Sequence, residues 1–199
     1  MCGGLYPTAD VILPGVDDFV RRLEERLRER VPASAPAELR PAAVLIPLLV
    51  EPAGYSLVLT RRAETLRRQP GDISFPGGAI DAGDETPLAA ALRESLEEVG
   101  LDPRAVKLLG QMDERGTVTG FRITPFVGAV SGPYEFAPNH EVGELLKVPL
   151  AALSDPAALT IEKRLFKGVV RDVYHYRFGA HDIWGITGLL VKDFLELIE

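Results

Sequence analysis

Three glutamates at helical spacing carry the clearest chemical signal in the sequence. On an α-helix, where each residue turns by about 100°, Glu98 lies about 40° to one side of Glu94 and Glu97 about 60° to the other. Carboxylates crowded on one face repel one another, and hard divalent cations prefer oxygen ligands. The spacing therefore predicts a metal-binding helix face. We expect Glu94 and Glu98 to bind the metal directly and Glu97 to bind it directly or through water.

The flanking residues predict a helix over residues 86–99. Thr86 suits the N-cap, Pro87 suits the first helical position, and Gly100 suits the left-handed position that ends many helices. The side opposite the glutamates is apolar and is predicted to face the core: Leu92, Leu96 and Val99.

Two neighbouring features bear on the same site. Gly77 and Gly78 lack a Cβ, so their backbone can approach a ligand or metal closely. Arg93 lies one turn before Glu97 and is predicted to orient Glu97 or a neighbouring carboxylate; a simple surface ion pair is its alternative role. The alternative for the whole segment is a solvated acidic helix face.

This segment resembles the Nudix box: Gly, five residues, Glu, seven residues, Arg-Glu, two residues, Glu-Glu, one residue, Gly and an apolar residue. The matching positions are Glu85, Arg93, Glu94, Glu97, Glu98, Gly100 and Leu101. There are two departures from the pattern. The stretch from Gly78 to Glu85 is one residue longer than usual, and Ser95 stands where the pattern has an apolar residue. The resemblance implies a Nudix fold, a pyrophosphatase activity that needs Mg²⁺ or Mn²⁺, and a further metal ligand from a carbonyl of the Gly77–Ala79 loop.

A second motif precedes the box and is similar to one in the coenzyme A pyrophosphatase branch of that family. Its positions are Thr60-Arg61-Arg62-Ala63, Arg67, Gly71 and Phe75-Pro76-Gly77-Gly78. Later segments also resemble that branch: Thr124-Pro125-Phe126, Glu141-Val142 and Ile183-Trp184-Gly185. This similarity implies that coenzyme A or its thioesters are cleaved to 3′,5′-ADP and 4′-phosphopantetheine or its acyl form. The alternatives are a pyrophosphatase for another nucleoside diphosphate such as ADP-ribose, and a non-catalytic binding module.

The substrate and the attacking water need further residues. Arginine recognises phosphate with a forked pair of donors, so Arg62 or Arg67 is predicted to contact substrate phosphate, alongside Gly77 and Gly78. A structural ion pair is the alternative for either arginine. The predicted catalytic residues are Arg93, Glu97, Glu98 and Glu141. The general base is left open among carboxylates outside and inside the box: Glu141, Glu144, Glu97 and Glu98. Glu85 is predicted to fix the loop that enters the helix.

Composition narrows the class of protein. The chain has 199 residues and a net charge of −7, which argues against a sequence-independent grip on nucleic acid. Its single cysteine, Cys2, excludes a disulfide framework and a cysteine-based zinc site. It also argues against the NADH pyrophosphatase branch of the Nudix family, which usually carries a four-cysteine zinc module. No apolar stretch is long enough to span a bilayer, and no signal-peptide pattern is present, so we expect a cytoplasmic protein.

The remaining pattern predicts an α+β protein, which the resemblance sharpens to an α/β/α sandwich around a mixed sheet. We divide the chain into an N-terminal extension, 1–40, and a Nudix domain, 41–199. The extension holds an amphipathic helix at 16–31 that packs on its own domain or, alternatively, forms a homodimer contact. Strands are predicted at 42–50, 55–60, 105–113, 121–130, 143–148 and 167–178, and a last helix at 184–198. Pro47 predicts a bulge or an edge strand, and Trp184 is expected in the core.

Overall fold

The apolar run that begins at Arg40 forms the centre of a mixed β-sheet. A computed structural model describes residues 18–66 and 69–199. Its strands are β1 (Arg40–Glu51), β2 (Gly54–Arg62), β3 (Ile73–Ser74), β4 (Gly77–Ala79), β5 (Val106–Gln111), β6 (Arg115–Gly116), β7 (Phe121–Ser131), β8 (Val142–Pro149), β9 (Leu159–Phe166), β10 (Val169–Phe178) and β11 (His181–Ile183). Its α-helices are α1 (Asp18–Glu29), α2 (Pro87–Val99), α3 (Leu150–Leu153) and α4 (Gly185–Ile198).

The main sheet has eight strands and runs β3-β2-β1-β7-β5 along its principal path. Strand β4 pairs with β1, β6 pairs with β7, and β8 pairs with β2. Strands β1 and β7 are parallel, whereas the other pairs in this sheet are antiparallel. The sheet is therefore mixed, as the resemblance implied.

Helices cover both faces of this sheet because the buried side chains of each strand alternate between them. On one face, Ala43, Leu45 and Leu49 of β1 pack against buried residues of α2. On the other face, Ile46 and Leu48 pack in a larger core that includes residues of α1 and α4. This arrangement confirms the α/β/α sandwich of the α+β class.

The amphipathic pattern at 16–31 forms α1, which packs on the same core as the sheet. Val20, Leu23 and Leu27 are buried there, and Lys107 of β5 donates to Glu24 Oε2 at 2.7 Å. The described helix thus packs on its own chain. The boundary between 1–40 and 41–199 stays a prediction, and residues 1–17 lie outside the described part.

Pro47 lies in the middle of a central strand, so the prediction of a bulge or an edge was wrong. It pairs with Gly128 of the parallel strand β7. On its other side β1 changes partner, from β4 at Ala42–Val44 to β2 at Leu48–Glu51. Pro47 sits in the gap between these two ladders, where the missing N–H removes no hydrogen bond of either.

A second sheet of three strands, in the order β11-β10-β9, packs beside α4. Only β10 was predicted, because β9 is rich in charged residues and mostly exposed. Trp184, which precedes α4, is 42% exposed, so its expected place in the core was wrong. No helix among residues 18–66 and 69–199 is long and apolar enough to cross a membrane.

Candidate active site

The glutamate-bearing helix α2 begins and ends where its sequence predicts. Thr86 Oγ1 accepts a hydrogen bond from the Ala89 N–H at 3.1 Å, and Pro87 is the first helical residue. Gly100 has φ 66° and donates to the Leu96 carbonyl. These caps satisfy backbone groups at both ends of α2 and define where the helix begins and ends.

The buried face of α2 differs by one position from the predicted one. Ser95 is fully buried, whereas Leu96 is 48% exposed. The Ser95 hydroxyl donates to the Ala91 carbonyl at 2.7 Å, which satisfies it inside the core. Ser95, which stands where the box has an apolar residue, is therefore a core residue. The prediction that Leu96 faces the core was wrong.

Glu94 and Glu98 point at the glycine pair of β4. The Gly77 N–H donates to Glu98 Oε2 at 3.2 Å. A Cβ at Gly78 would lie 2.6 Å from Glu94 Oε1, and one at Gly77 would lie 2.3 Å from the Ala43 carbonyl oxygen. Residue types larger than glycine cannot occupy either position unless the surroundings shift. Gly78 thus lets the Glu94 carboxylate lie directly against backbone, whereas Gly77 lets β4 lie close to β1.

Burial and mutual repulsion make both carboxylates costly to ionise. Burial raises the pKa of Glu98 to about 7, opposed by the Gly77 N–H and reinforced by the charges of Glu94 and Glu141. Burial also raises the pKa of Glu94, although Arg93 opposes that shift. A face on which two carboxylates resist ionisation is electrostatically suited to a cation.

Arg93 is held by a carboxylate that the sequence analysis did not single out. Its Nε and Nη2 donate to the two oxygens of Asp84, each at 3.0 Å. This forked contact lowers the pKa of Asp84 and raises that of Arg93. Arg93 Nη1 then donates to Glu94 at 2.9 Å and to Glu97 at 3.3 Å. Arg93 thus contacts two of the three glutamates, and its role in orienting them stays a prediction.

Asp84, rather than Glu85, fixes the loop that enters α2. Its side chain is buried and also accepts from the Asp81 N–H at 2.8 Å, whereas Glu85 is exposed. The only signal in the sequence is the acidic stretch before the helix. The distance in sequence from Asp84 to Arg93 does not itself predict a contact, because the fold of the loop between them brings the two side chains together.

Glu97 is more exposed than the other two glutamates. Its side chain is 56% exposed and contacts Arg93. Among residues 18–66 and 69–199, no three His, Cys, Asp or Glu side chains are grouped so that they could hold a metal ion. The role of Glu97 as a ligand therefore stays a prediction, while Glu94 and Glu98 share one side of the helix against β4.

Glu141 and Glu144 occupy different places relative to the sheet. Glu144 has the strand parity of Leu146 and Val148, which are buried on the α1 and α4 face, and it lies 3.4 Å from His181 Nε2. Glu141 precedes β8 on the α2 side, close enough for its charge to act on Glu98. The fold therefore favours Glu141 over Glu144 as a group that can reach the site.

The arginine motif runs alongside this cluster. Arg62 ends β2, and its charge lowers the pKa of Glu98 against the effect of burial. The chain then turns back, with the Gly71 N–H donating to the Arg62 carbonyl, and reaches β3 and the glycine pair. Arg61 forms an ion pair with Glu64. Arg67 lies outside the described residues, so its predicted contact with phosphate is not placed by the structure.

A protein-family model described as "NUDIX domain" matches residues 39–166. The chain belongs to the Nudix family. It is 36% identical over 183 residues to a Pectobacterium atrosepticum protein named "Uncharacterized Nudix hydrolase NudL", covering 89% of this chain and 92% of that protein. A Photorhabdus laumondii protein of the same name is 34% identical over 188 residues, covering 92% of this chain and 98% of that protein. These matches show that the protein is a Nudix hydrolase.

Solved structures support the same fold. The Nudix hydrolase RenU from M. smegmatis has a TM-score of 0.50 and 26% identity, covering 58% of this chain and 74% of its own. A MutT/nudix family protein from Enterococcus faecalis has a TM-score of 0.51 and 12% identity, covering 92% of this chain and 70% of its own. The second likeness concerns the fold alone.

Nudix hydrolases generally need divalent ions such as Mg²⁺ or Mn²⁺, and the donors at this site suit them. Glu94 and Glu98 offer carboxylate oxygens beside the glycine pair, and Gly78 has no side chain that would displace the Glu94 carboxylate. Hard cations take such oxygen donors, and Mg²⁺ keeps several waters in addition. The donor set of this Nudix hydrolase therefore fits the metal that its family uses.

Proposed function

We propose that this Nudix hydrolase cleaves the pyrophosphate of coenzyme A or its thioesters at the α2 face, with Mg²⁺ or Mn²⁺. The products are 3′,5′-ADP and 4′-phosphopantetheine or its acyl form. The observation that carries the proposal is the place of the second motif. The segment from Thr60 to Gly78, which resembles the coenzyme A branch, brings Arg62 and the glycine pair to Glu98.

In this proposal Glu94 and Glu98 hold the metal, with Glu97 and a carbonyl of the Gly77–Ala79 loop completing the set. The cation offsets the negative charge of the pyrophosphate and lowers the pKa of a bound water. Arg93, clamped by Asp84, keeps Glu94 in place. The face therefore presents oxygen donors to the cation, while Arg93 limits the repulsion among them.

Arg62 contacts substrate phosphate, and Arg67 is the second candidate for that role. Coenzyme A carries a 3′-phosphate besides its pyrophosphate, so it offers more anionic groups than ADP-ribose does. A guanidinium close to Glu98 lies where it can bind a phosphate beside the metal.

Glu141 is the proposed general base. It lies on the α2 side of the sheet, whereas Glu144 lies on the other face. A base must come within hydrogen-bond reach of the attacking water, directly or through one further water. Glu141 lies close enough to Glu98 for its charge to act on that carboxylate, so it lies near the water that a metal held by Glu98 would bind.

The experiment exchanges single glutamates for glutamine, which keeps the shape and removes the charge. We expect Glu98→Gln to lower kcat by roughly 100-fold or more with Mg²⁺, because it takes away a buried anionic ligand. Glu144→Gln is the matched control and leaves kcat within about twofold. Thermal unfolding checks that both variants fold. Unchanged turnover in Glu98→Gln contradicts the metal assignment.

Product analysis tests the bond that is cleaved. Coenzyme A incubated with the enzyme and Mg²⁺ is separated by liquid chromatography and identified by mass. We expect equal amounts of 3′,5′-ADP and 4′-phosphopantetheine. Release of inorganic phosphate alone contradicts cleavage at the pyrophosphate.

A further inference from the structure

The loop between β7 and β8 encloses the C-terminal end of α2. Helix ends leave carbonyl groups without partners inside the helix, and here the loop supplies them. The Ala137 N–H donates to the Val99 carbonyl at 2.9 Å, and the Tyr134 hydroxyl donates to the Gly100 carbonyl at 3.0 Å. The loop thus joins the glutamate helix to the start of β8, where Glu141 lies.

Asn139 makes this connection with both its backbone and its side chain. Its N–H donates to the Glu98 carbonyl at 2.8 Å, and its Nδ2 donates to the Glu97 carbonyl at 2.9 Å. Its Oδ1 accepts from the Glu141 N–H at 2.8 Å. One amide side chain therefore bridges the backbone of the metal-binding helix and the backbone of the proposed base.

The bridge needs a side chain that donates on one side and accepts on the other. An aspartate at this position could still accept from the Glu141 N–H, but it has no donor for the Glu97 carbonyl. Alanine can do neither. The backbone of Glu141 is held further by its own carbonyl, which accepts from the Ala63 N–H at 2.8 Å, next to Arg62.

We propose that Asn139 is a positioning residue that sets the distance between Glu141 and the metal-binding end of α2. This rests on the assignment of Glu141 as the base in the function proposed above. Catalytic groups lose rate steeply when they are displaced, by about 100-fold for a shift near 1 Å. A residue that ties Glu141 to the helix is therefore expected to act on kcat rather than on substrate binding.

Tyr134 offers a matched control in the same loop. Its hydroxyl donates to the Gly100 carbonyl and accepts from the Asp102 N–H at 2.8 Å, so it also ties the loop to the end of α2. None of these hydrogen bonds involves Glu141. Tyr134→Phe therefore removes a structural contact of comparable kind without releasing the proposed base.

The test is a double-mutant cycle on kcat with the substrate that the wild-type enzyme turns over best. We expect Asn139→Ala to lower kcat by roughly 10- to 100-fold with KM changed less than threefold. In the Glu141→Ala background the same change lowers kcat less than twofold, because its target is gone. Tyr134→Phe lowers the melting temperature comparably but leaves kcat within about twofold.

The proposal is overturned if Asn139→Ala lowers kcat by the same factor in the Glu141→Ala background as in the wild type. It is also overturned if Tyr134→Phe loses as much kcat as Asn139→Ala. A Glu141→Ala enzyme with full kcat also overturns it, because no base is then left to position. If Asn139→Ala does not fold, Asn139→Asp replaces it in the cycle with the same expected pattern. The cycle uses whichever substrate the wild-type enzyme turns over best. The role of Asn139 is therefore tested even if coenzyme A proves not to be the substrate.

Discussion

The roles of individual residues at this site follow from how each charge is compensated. Glu98 has a backbone N–H and the charge of Arg62 near it, whereas Glu94 has Arg93. Arg93 in turn is held by both oxygens of Asp84. Asp84 is thus the outermost member of a chain of contacts that passes through Arg93 to Glu94 and Glu97.

The Asp84–Arg93 pair gives a prediction for stability as a function of pH. Because Arg93 lowers the pKa of Asp84 in the folded state, the pair stabilises the protein above the unfolded pKa of about 4 and loses this effect below it. We expect Asp84→Asn to lower the melting temperature near pH 7, and the difference from wild type to shrink as the pH falls below about 4.

The control for this measurement is Asp18→Asn, which removes an exposed ion pair with Arg21. Exposed pairs contribute little, so its melting temperature should stay close to that of the wild type at all these pH values. A difference for Asp84→Asn that does not depend on pH would show that the ionised carboxylate is not what stabilises the loop.

At the scale of elements, α2 and β4 pack closely because Gly78 has no side chain facing Glu94. A Cβ at Gly78 would meet the Glu94 carboxylate at 2.6 Å, whereas one at Gly83 would meet nothing within 4 Å. The same substitution at Gly78 in β4 and at Gly83 in the following loop thus separates crowding at the site from a general effect of replacing glycine.

We expect Gly78→Ala to displace Glu94 and to lower kcat by on the order of 10-fold or more, and Gly83→Ala to leave kcat unchanged. Steady-state kinetics at saturating Mg²⁺ compares the two variants, and circular dichroism checks their folding. Equal kinetics for Gly78→Ala and wild type would mean that Glu94 need not lie against the glycine pair.

The elements were predictable where local signals were strong. Thr86, Pro87 and Gly100 mark the ends of α2, and the apolar runs mark β1 and β7. The choice between Ser95 and Leu96 as the buried residue was not predictable from residue types, because the packing of α2 on the sheet decides it. Contacts between distant segments, such as Asp84 with Arg93 and Asn139 with Glu97, likewise depend on the folded loops.

At the scale of the whole molecule, the two faces of the main sheet differ. The proposed reaction site lies on one face, and the larger apolar core lies on the other. The α2 face carries the glutamates, the glycine pair, Arg62 and the approach to Glu141. The opposite face carries α1, α4 and the larger apolar core. We therefore expect substitutions that change substrate preference to lie on the α2 face and in the segment from Thr60 to Gly78.

The most direct test of the central claim is kcat/KM for coenzyme A and for ADP-ribose, measured side by side with Mg²⁺ and with Mn²⁺. We expect coenzyme A or a thioester of it to be cleaved with the higher kcat/KM, by about 10-fold or more, a difference of about 1.4 kcal/mol in transition-state binding. A higher kcat/KM for ADP-ribose with both metals would contradict it.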